Sequence, residues 1–430
     1  MTACQVSRHK KNSLQEDKMI KVAIMGYGTI GSGVYEILER NKEILTEKAG
    51  QEISVKYILD LRDFPGSSVE KKIVHDFSVI CQDDEVKIVV ETMGGLEPAY
   101  PFVKACLEAG KHVATSNKAL VAAHGTELLA IAKKKHVNFM FEASVGGGIP
   151  IIRPFYRCLM GEKIEEITGI LNGTTNFILT KMDKEGTSFE WALKEAQALG
   201  YAERNPEADV EGHDTCRKIA ILTAMATGKE VNYEEIPTEG ITKITDVDFR
   251  YAEALGTSIK LVGSSRMEGD NVYAWVAPLM IGKNSPLYTV SDVYNGVIVK
   301  GNMSGTTMYY GSGAGKLPTA SAVVADMIEQ VRHLDSNIPI GWTEEKLSIC
   351  SCKDGIYRYF VRVSGSYEDR KVMVEAAFGT CRIVQLEGMN EFAFLTGEMK
   401  ESIFEESMEI LKEELTAEYQ RVIQVIRAER

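Results

Sequence analysis

The sequence has no apolar run approaching the ~20 residues a helix needs to cross a bilayer, so no membrane-spanning helix is expected. It has no excess of basic charge either. Its 49 Lys and Arg against 61 Asp and Glu give a formal net charge of −12, and a chain without a basic face is not built for nucleic acid. The eight cysteines are scattered, with no paired CxxC spacing. Neither a disulfide framework nor a cysteine metal site follows from that pattern, and the lone Cys350-x-Cys352 is expected to be strand packing. Reduced thiols and a cytoplasmic location are the matching expectations. The first 18 residues lack the apolar core of a secretory signal. They read as a disordered tail, with Met19, which opens the first strand, as an alternative start.

At 430 residues, 44% hydrophobic and 26% charged, the chain is globular and too long for one ordinary core, so two or three domains are expected. Residues 20–25, IKVAIM, form an apolar strand, followed at once by Gly26-Tyr27-Gly28-Thr29-Ile30-Gly31 and the helical run SGVYEILERNKEIL. Strand, GxGxxG turn and helix in that order are the setting a dinucleotide fingerprint requires. Gly26 permits the tight turn, Gly28 lets backbone approach a pyrophosphate, and Gly31 lets helix and strand pack closely. The first helical amides then face the anion. The second strand, ISVKYILD, ends at Asp60, which suits the free ribose 2′-hydroxyl of NAD. Arg62 suits the 2′-phosphate of NADP, so both cofactors stay open.

Alternation continues through VKIVVET (86–92), PAYPFVKACLEAG, KHVATSNK (111–118), LVAAHGTELLAIAKKK and VNFMFEAS (137–144). It predicts an α/β, Rossmann-type doubly wound parallel sheet that binds ligands beyond the carboxyl ends of its strands. Thr92, Gly94, Ser116, Asn117 and Lys118 fall at those ends. Lys118 is there either beside a nicotinamide ring or as a solvated lysine at a helix start, where a cation is electrostatically misplaced.

The stretch Glu142-Ala-Ser-Val145-Gly146-Gly147-Gly148-Ile149-Pro150 exposes backbone carbonyls around one carboxylate. It is either an oxygen site for a hard cation or a domain hinge. Beyond it, residues 163–182 read as strand, polar turn and helix, with Thr174 or Thr175 as the helix cap or Asn172, Gly173, Thr174 and Thr175 as the floor of a small polar pocket. Residues 200–218, GYAERNPEADVEGHDTCRK, follow. Asp214 and Lys218 are four apart and share one helix face. On spacing alone they are a surface ion pair worth under ~1 kcal/mol or a carboxylate and an ammonium that bind an amino acid and move a proton. Strands near YAWVAPLMIG and VYNGVIVKG suggest a mixed sheet suited to dimerisation. A second glycine turn and helix at 308–331 are expected to pack back on the first domain, bringing Gly313 and Gly315 to the cofactor. From Arg358 the pattern becomes strand, helix, two strands, helix, strand, a ferredoxin-like βαββαβ order.

Taken together, GYGTIGSG, ETMGG, TSNK, EASVGGGIP, LNGTTNFIL, GYAERNPEADVEGHD…K and GAGKLPTASAV closely resemble homoserine dehydrogenase over about residues 20–333. The tail from about residue 350 resembles an ACT regulatory domain, and the form resembled is the monofunctional one. The resemblance implies four segments: a tail at 1–18, an NAD(P)-binding domain at 19–141 plus about 308–333, an α+β substrate and dimerisation domain at 142–307, and an ACT-like module at 350–430. It implies NAD- or NADP-dependent interconversion of L-homoserine and L-aspartate 4-semialdehyde, on the way to threonine and methionine, by a homodimer or homotetramer. Lys218 and Lys118 are then the catalytic lysines, with Lys218 the proton donor. Glu203 and Asp214 hold the substrate amino group and orient Lys218, which makes Asp214 a third catalytic residue, and Gly173 and Thr174 line the substrate pocket. Glu142, Val145, Gly147 and Ile149 match a monovalent-cation site, of sodium. Gly28, Thr29, Ile30, Gly31, Thr92, Ser116, Lys118 and Gly315 match cofactor contacts, beside the Gly26, Asp60 and Arg62 of the fingerprint. The chain departs from the family at Arg204-Asn205, where Pro-Asp is usual, and at Glu368-Asp369-Arg370-Lys371, where an ACT domain has an Asp-x-Pro-Gly turn.

Two other functions fit parts of this pattern. One is another amino-acid or semialdehyde dehydrogenase of the same fold. The other is a nucleotide- and amino-acid-sensing protein without turnover, which would have no need of two lysines and two carboxylates.

Overall fold

A computed structural model of the protein describes residues 19–415 and 422–429, and the tail expected over residues 1–18 lies outside them. The chain forms two compact units. The first comprises the chain through Gly161 with Ala224–Glu230 and Ser312–Lys346, and the second Glu162–Thr223, Val231–Gly311 and Leu347 onward. The glycine-rich stretch that follows Phe141 therefore packs with the first unit. Among the described residues no helix is long and apolar enough to cross a membrane.

In the first unit, β1 (Met19–Met25) is followed by α1 (Thr29–Arg40), α2 (Lys42–Ala49), β2 (Glu52–Leu59), β3 (Ile73–Val74), β4 (Val86–Glu91), α3 (Ala99–Glu108), β5 (His112–Thr115), α4 (Lys118–Lys135), β6 (Phe139–Met140) and α5 (Ile152–Arg157). The six strands pair in the order β3-β2-β1-β4-β5-β6, each contact parallel. This is the doubly wound order expected of a dinucleotide-binding sheet. Val22, Ala23, Ile24 and Met25 are all fully buried, as a strand covered on both faces requires. Val34 and Leu38 of α1 share a core with Ala320, Val323 and Met327 of the helix Lys316–Arg332. Gly33 makes that approach possible, since a Cβ there would sit 3.0 Å from the Ala320 Cβ.

Two local expectations are corrected. The helix after the glycine turn is not continuous to Leu45. It stops at Arg40 and restarts at Lys42, with Asn41 between them outside the helical region of the backbone. The strand expected over 137–144 is only two residues long. Glu142–Ser144 instead form a 3-10 turn, because the Glu142 carboxylate bonds to backbone amides ahead of it rather than leaving its segment extended.

The second unit contains β7 (Ile164–Ile170), α6 (Gly173–Glu185), α7 (Phe189–Ala198), most of α8 (His213–Thr227), α9 (Asp246–Leu255), β8 (Thr257–Glu268), β9 (Asn271–Gly282), β10 (Tyr294–Gly301) and β11 (Gly305–Ser312). It continues with β12 (Ile356–Ser364), α10 (Tyr367–Phe378), β13 (Arg382–Val384), β14 (Glu391–Leu395), α11 (Glu401–Glu414) and β15 (Val422–Ala428). Its sheet runs β11-β10-β7-β8-β9-β15-β12-β14-β13. The last four strands are the βαββαβ segment, each antiparallel to its neighbours within it. They are not a detached sheet. β15 also pairs parallel with β9 through Leu279↔Arg427 and Met280↔Ala428, so one mixed sheet carries both segments. Arg362 on β12 fixes this arrangement from inside, paired with Asp248 of α9 at 2.5 Å and Glu391 at 2.9 Å.

Candidate active site

The first unit presents the glycine turn at the carboxyl end of β1. Gly26 has φ +95°, its amide donates to the Leu59 carbonyl at 2.8 Å, and its own carbonyl accepts from Thr92 Oγ1 at 2.9 Å. A Cβ on Gly31 would overlap the Gly26 carbonyl, whereas Gly28 has open space beside it. Gly28 caps α1 with backbone alone, leaving the first amides, including those of Thr29, Ile30 and Gly31, for an anion. This cradle fits the pyrophosphate of a dinucleotide.

At the end of β2, the Asp60 carboxylate accepts from the Tyr27 amide at 2.8 Å. Arg62 grips it through Nε at 2.9 Å and Nη2 at 2.9 Å, and holds it well below the usual carboxylate range. The guanidinium remains mostly exposed. Asp60 and Arg62, which the sequence set against each other, are one bidentate clasp.

The ends of β4 and β5 are tied by a residue the sequence reading passed over. Glu91 is buried and accepts from the Met93 amide at 2.7 Å, the Gly94 amide at 3.2 Å and Thr115 Oγ1 at 2.5 Å. Burial pushes its carboxyl up. An acid closing an otherwise apolar strand was the available signal. The Ser116 amide donates to the Glu91 carbonyl at 3.4 Å. Asn117 caps α4, accepting from Leu120 N at 3.1 Å while its Nδ2 donates to the Gly95 carbonyl at 2.6 Å. Lys118, half-buried, is the first residue of that helix.

In the glycine-rich stretch the Glu142 carboxylate is an amide acceptor, taking Ile151 N at 2.6 Å, Ile152 N at 2.8 Å and Arg153 N at 2.7 Å. Its backbone amide donates to Asp326 at 2.9 Å. Asp326 also pairs with Arg153 at 2.6 Å, and burial, then the nearby Glu142 carboxylate, push its carboxyl up against the pull of Arg153. Gly147 has φ +57° and lies flat against the Gly313 carbonyl, with no room for a Cβ. The Gly148 amide donates to the Ser312 carbonyl at 3.0 Å. The two glycine turns thus meet backbone to backbone beside Gly315, the N-cap of the helix Lys316–Arg332. The Glu142 carboxylate is already engaged by three backbone amides.

The second unit holds the Asp214–Lys218 pair. It is not a surface ion pair: Asp214 is 3% and Lys218 7% exposed. The Lys218 ammonium lies 2.8 Å from Asp214 Oδ2 and donates to the Leu171 carbonyl at 2.7 Å. Asn172 Nδ2 donates to the same Asp214 oxygen at 2.9 Å and to Asp209 Oδ1 at 2.7 Å. Asn172, not Thr174 or Thr175, caps α6, accepting from the Thr175 amide at 2.8 Å. Thr174 Oγ1 donates to the Tyr201 carbonyl at 2.6 Å. Gly173 is required by a close approach, since a Cβ would stand 2.7 Å from the Val293 carbonyl. Glu203 lies on an exposed turn, its backbone carbonyl accepting from Gln197 Nε2 at 3.1 Å. The contacts therefore join Asp214, Lys218, Asn172 and Asp209, and Glu203 stands outside them. Asp209 is one of five acids in residues 200–218. Only the fold turns it toward Asn172.

A family model described as homoserine dehydrogenase, NAD binding domain, matches residues 26–142, and one described as homoserine dehydrogenase matches residues 150–328. The homoserine dehydrogenase of Pseudomonas aeruginosa is 43% identical over 321 residues, covering 74% of each chain. The chain belongs to the homoserine dehydrogenase family. The Bacillus subtilis homoserine dehydrogenase is 40% identical over 323 residues, again covering 74% of each chain. A solved homoserine dehydrogenase from Thiobacillus denitrificans superposes with a TM-score of 0.87 at 35% identity, over 96% of this chain and 98% of that one. A hyperthermophilic archaeal homoserine dehydrogenase solved in complex with NADPH has a TM-score of 0.63 at 28% identity, over 73% of this chain and 97% of that one. As a homoserine dehydrogenase, the protein is an NAD(P)-dependent oxidoreductase acting on a CH–OH group, and it interconverts L-homoserine and L-aspartate 4-semialdehyde.

Proposed function

We propose that Lys218 is the proton-transfer group of this reaction, with Asp214 orienting it. The observation that carries the reading is the buried ammonium held from two sides, by the Asp214 carboxylate at 2.8 Å and the Leu171 carbonyl at 2.7 Å. A bound nicotinamide cofactor would supply or accept the hydride. The protein must supply the proton at oxygen. A lysine with a free pKa of ~10.4 is charged at neutral pH, so it stabilises the developing alkoxide and protonates it. In the oxidation direction the same nitrogen, starting as the neutral amine, takes the hydroxyl proton and becomes the ammonium. Asp214 and Glu203 are proposed to hold the substrate amino group, with Gly173 and Thr174 at the pocket floor. Lys118, at the carboxyl end of β5, is proposed as the second lysine of the reaction, since such strand ends are where a doubly wound sheet meets its ligand.

The cofactor is proposed to lie along Gly26, Gly28, Thr29, Ile30 and Gly31, with Thr92, Ser116, Lys118 and Gly315 completing its contacts. We infer a preference for NADP. The bidentate Asp60–Arg62 clasp satisfies the carboxylate that would otherwise receive a free 2′-hydroxyl, and an exposed guanidinium suits a 2′-phosphate. Glu142, Val145, Gly147 and Ile149 are proposed to offer carbonyl oxygens to a sodium ion.

The strand order of the C-terminal βαββαβ segment, β15-β12-β14-β13, supports a ferredoxin-like, ACT-like module. The broad mixed sheet supports self-association as a homodimer or homotetramer, and a cytoplasmic location suits the free thiols. The direct test follows nicotinamide absorbance with L-homoserine, using NAD and NADP in parallel. Turnover with homoserine, faster with NADP, supports the reading. Absence of turnover with either cofactor refutes it, and faster turnover with NAD refutes the assigned preference.

A further inference from the structure

Asn172 sits at the end of β7, where its backbone is still extended and α6 begins. It is 5% exposed. Its carboxamide has two N–H donors and one oxygen with two lone pairs. Both donor contacts go to carboxylates, Asp209 Oδ1 at 2.7 Å and Asp214 Oδ2 at 2.9 Å. The oxygen accepts from Thr175 N at 2.8 Å and Thr175 Oγ1 at 3.0 Å. Turning the amide over would set its oxygen against two carboxylates and its hydrogens against an N–H, so this network fixes one orientation.

The residue before it supplies the Leu171 carbonyl that accepts from Lys218 Nζ at 2.7 Å. Two consecutive residues therefore hold the lysine, Leu171 directly and Asn172 through Asp214. Asp214 Oδ2 receives both the ammonium and the amide. Torsion about the bond to a carboxyl group is soft, and a second donor on the same oxygen sets the plane of the group. The amide also lies between Asp209 and Asp214, whose like charges repel at such range. A neutral donor there lets Asp209 stay beside Asp214, the partner of the ammonium, without adding charge of its own.

We propose that Asn172 is a positioning residue for the proton-transfer lysine, bridging Asp209 and Asp214 and so setting the orientation and the charge environment of Lys218. This rests on the assignment of Lys218 given above. The decisive variant is Asn172→Asp. It keeps the shape and the helix cap, because Asp caps as well as Asn, but it replaces a donor with an acceptor facing two carboxylates. The expected result is a kcat for aldehyde reduction lower by roughly 10- to 100-fold, with the dissociation constant for NADPH, measured by fluorescence titration, unchanged. The alkaline limb of kcat/KM should move to higher pH, since added negative charge favours the protonated lysine.

Thermal melting checks that the variant folds. If it does not, Asn172→Ser keeps a cap without the carboxylate, and a fall in its kcat at unchanged NADPH affinity supports the same conclusion. Wild-type kcat in either folded variant overturns the proposal. So does a fall in kcat for Asn172→Asp with the alkaline limb unmoved, which would mark a purely structural role. Lys218→Met assayed alongside separates the two levels. If it is inactive while Asn172→Asp is normal, only the role of Asn172 fails. If it is active, the lysine assignment fails too.

Discussion

Replacing Lys218 by Met removes the ammonium while keeping most of the aliphatic stem. Two effects follow, and the structure separates them. The chemical effect is loss of the proton donor. General acid catalysis contributes about 10²- to 10⁴-fold, or about 3–5 kcal/mol of barrier, so kcat for aldehyde reduction should fall by that factor.

The stability effect comes from what is left behind. Asp214 is 3% exposed and loses the ammonium beside its Oδ2. Breaking a buried pair from one side costs about 3–5 kcal/mol. The cost should lie toward the lower figure, because Asn172 still donates to the same oxygen at 2.9 Å. The Leu171 carbonyl also loses its donor. The double variant Lys218→Met/Asp214→Asn removes the stranded carboxyl group, so urea unfolding should show most of the stability recovered while kcat stays low. NADPH titration should match the parent in both variants. A folded Lys218→Met with kcat within about tenfold of the parent would refute the reasoning. Recovery of activity in the double variant would do so as well, since it would make the loss a matter of folding.

Arg62→Ala removes the exposed fork of the Asp60 clasp. Charge-assisted hydrogen bonds contribute about 1.5–3 kcal/mol, so Kd for NADPH should rise by roughly 10- to 100-fold with little change for NADH. Equal effects on both in a fluorescence titration would remove Arg62 from 2′-phosphate recognition. Lys260, on β8, is 2% exposed, and burial pushes it down to about 8 despite Asp183. The folded chain then binds fewer protons than the unfolded chain between about pH 8 and the ordinary lysine value of ~10.4, so stability rises with pH across that window. Lys260→Met should be more stable than the parent at pH 7 by on the order of 3 kcal/mol, with the gap closing by about pH 10. A gap that does not change with pH, measured by urea unfolding, would contradict this. Arg362→Met strands Asp248 and Glu391 in the interior and should lower unfolding stability by about 3–5 kcal/mol. A loss below about 1 kcal/mol would show that the pair is not structural.

The parallel sheet of the first unit was legible because its signals are local. An apolar strand, a glycine turn and a helix follow one another within a short stretch, and each strand buried on both faces is a continuous apolar run. The βαββαβ order of the tail was legible for the same reason. Two things were not. The helix break at Asn41 carries no proline or glycine. The pairing of β15 with β9 joins residues far apart in the chain, and alternation within a strand does not name its neighbour.

The chemistry divides along the same line. The sequence alone determined the fingerprint glycines, the strand ends where Thr92, Ser116 and Lys118 stand, and the i, i+4 spacing of Asp214 and Lys218, because helix and strand periodicity fix which residues share a face. It left that pair indistinguishable from a surface ion pair. Only the tertiary structure buried it and brought the Leu171 carbonyl, Asn172 and Asp209 around it. It also spent the Glu142 carboxylate on backbone amides and closed Arg62 onto Asp60. Burial and long-range hydrogen bonding are properties of packing, and in a buried site they decide whether a charged side chain is solvated, paired or set against a substrate.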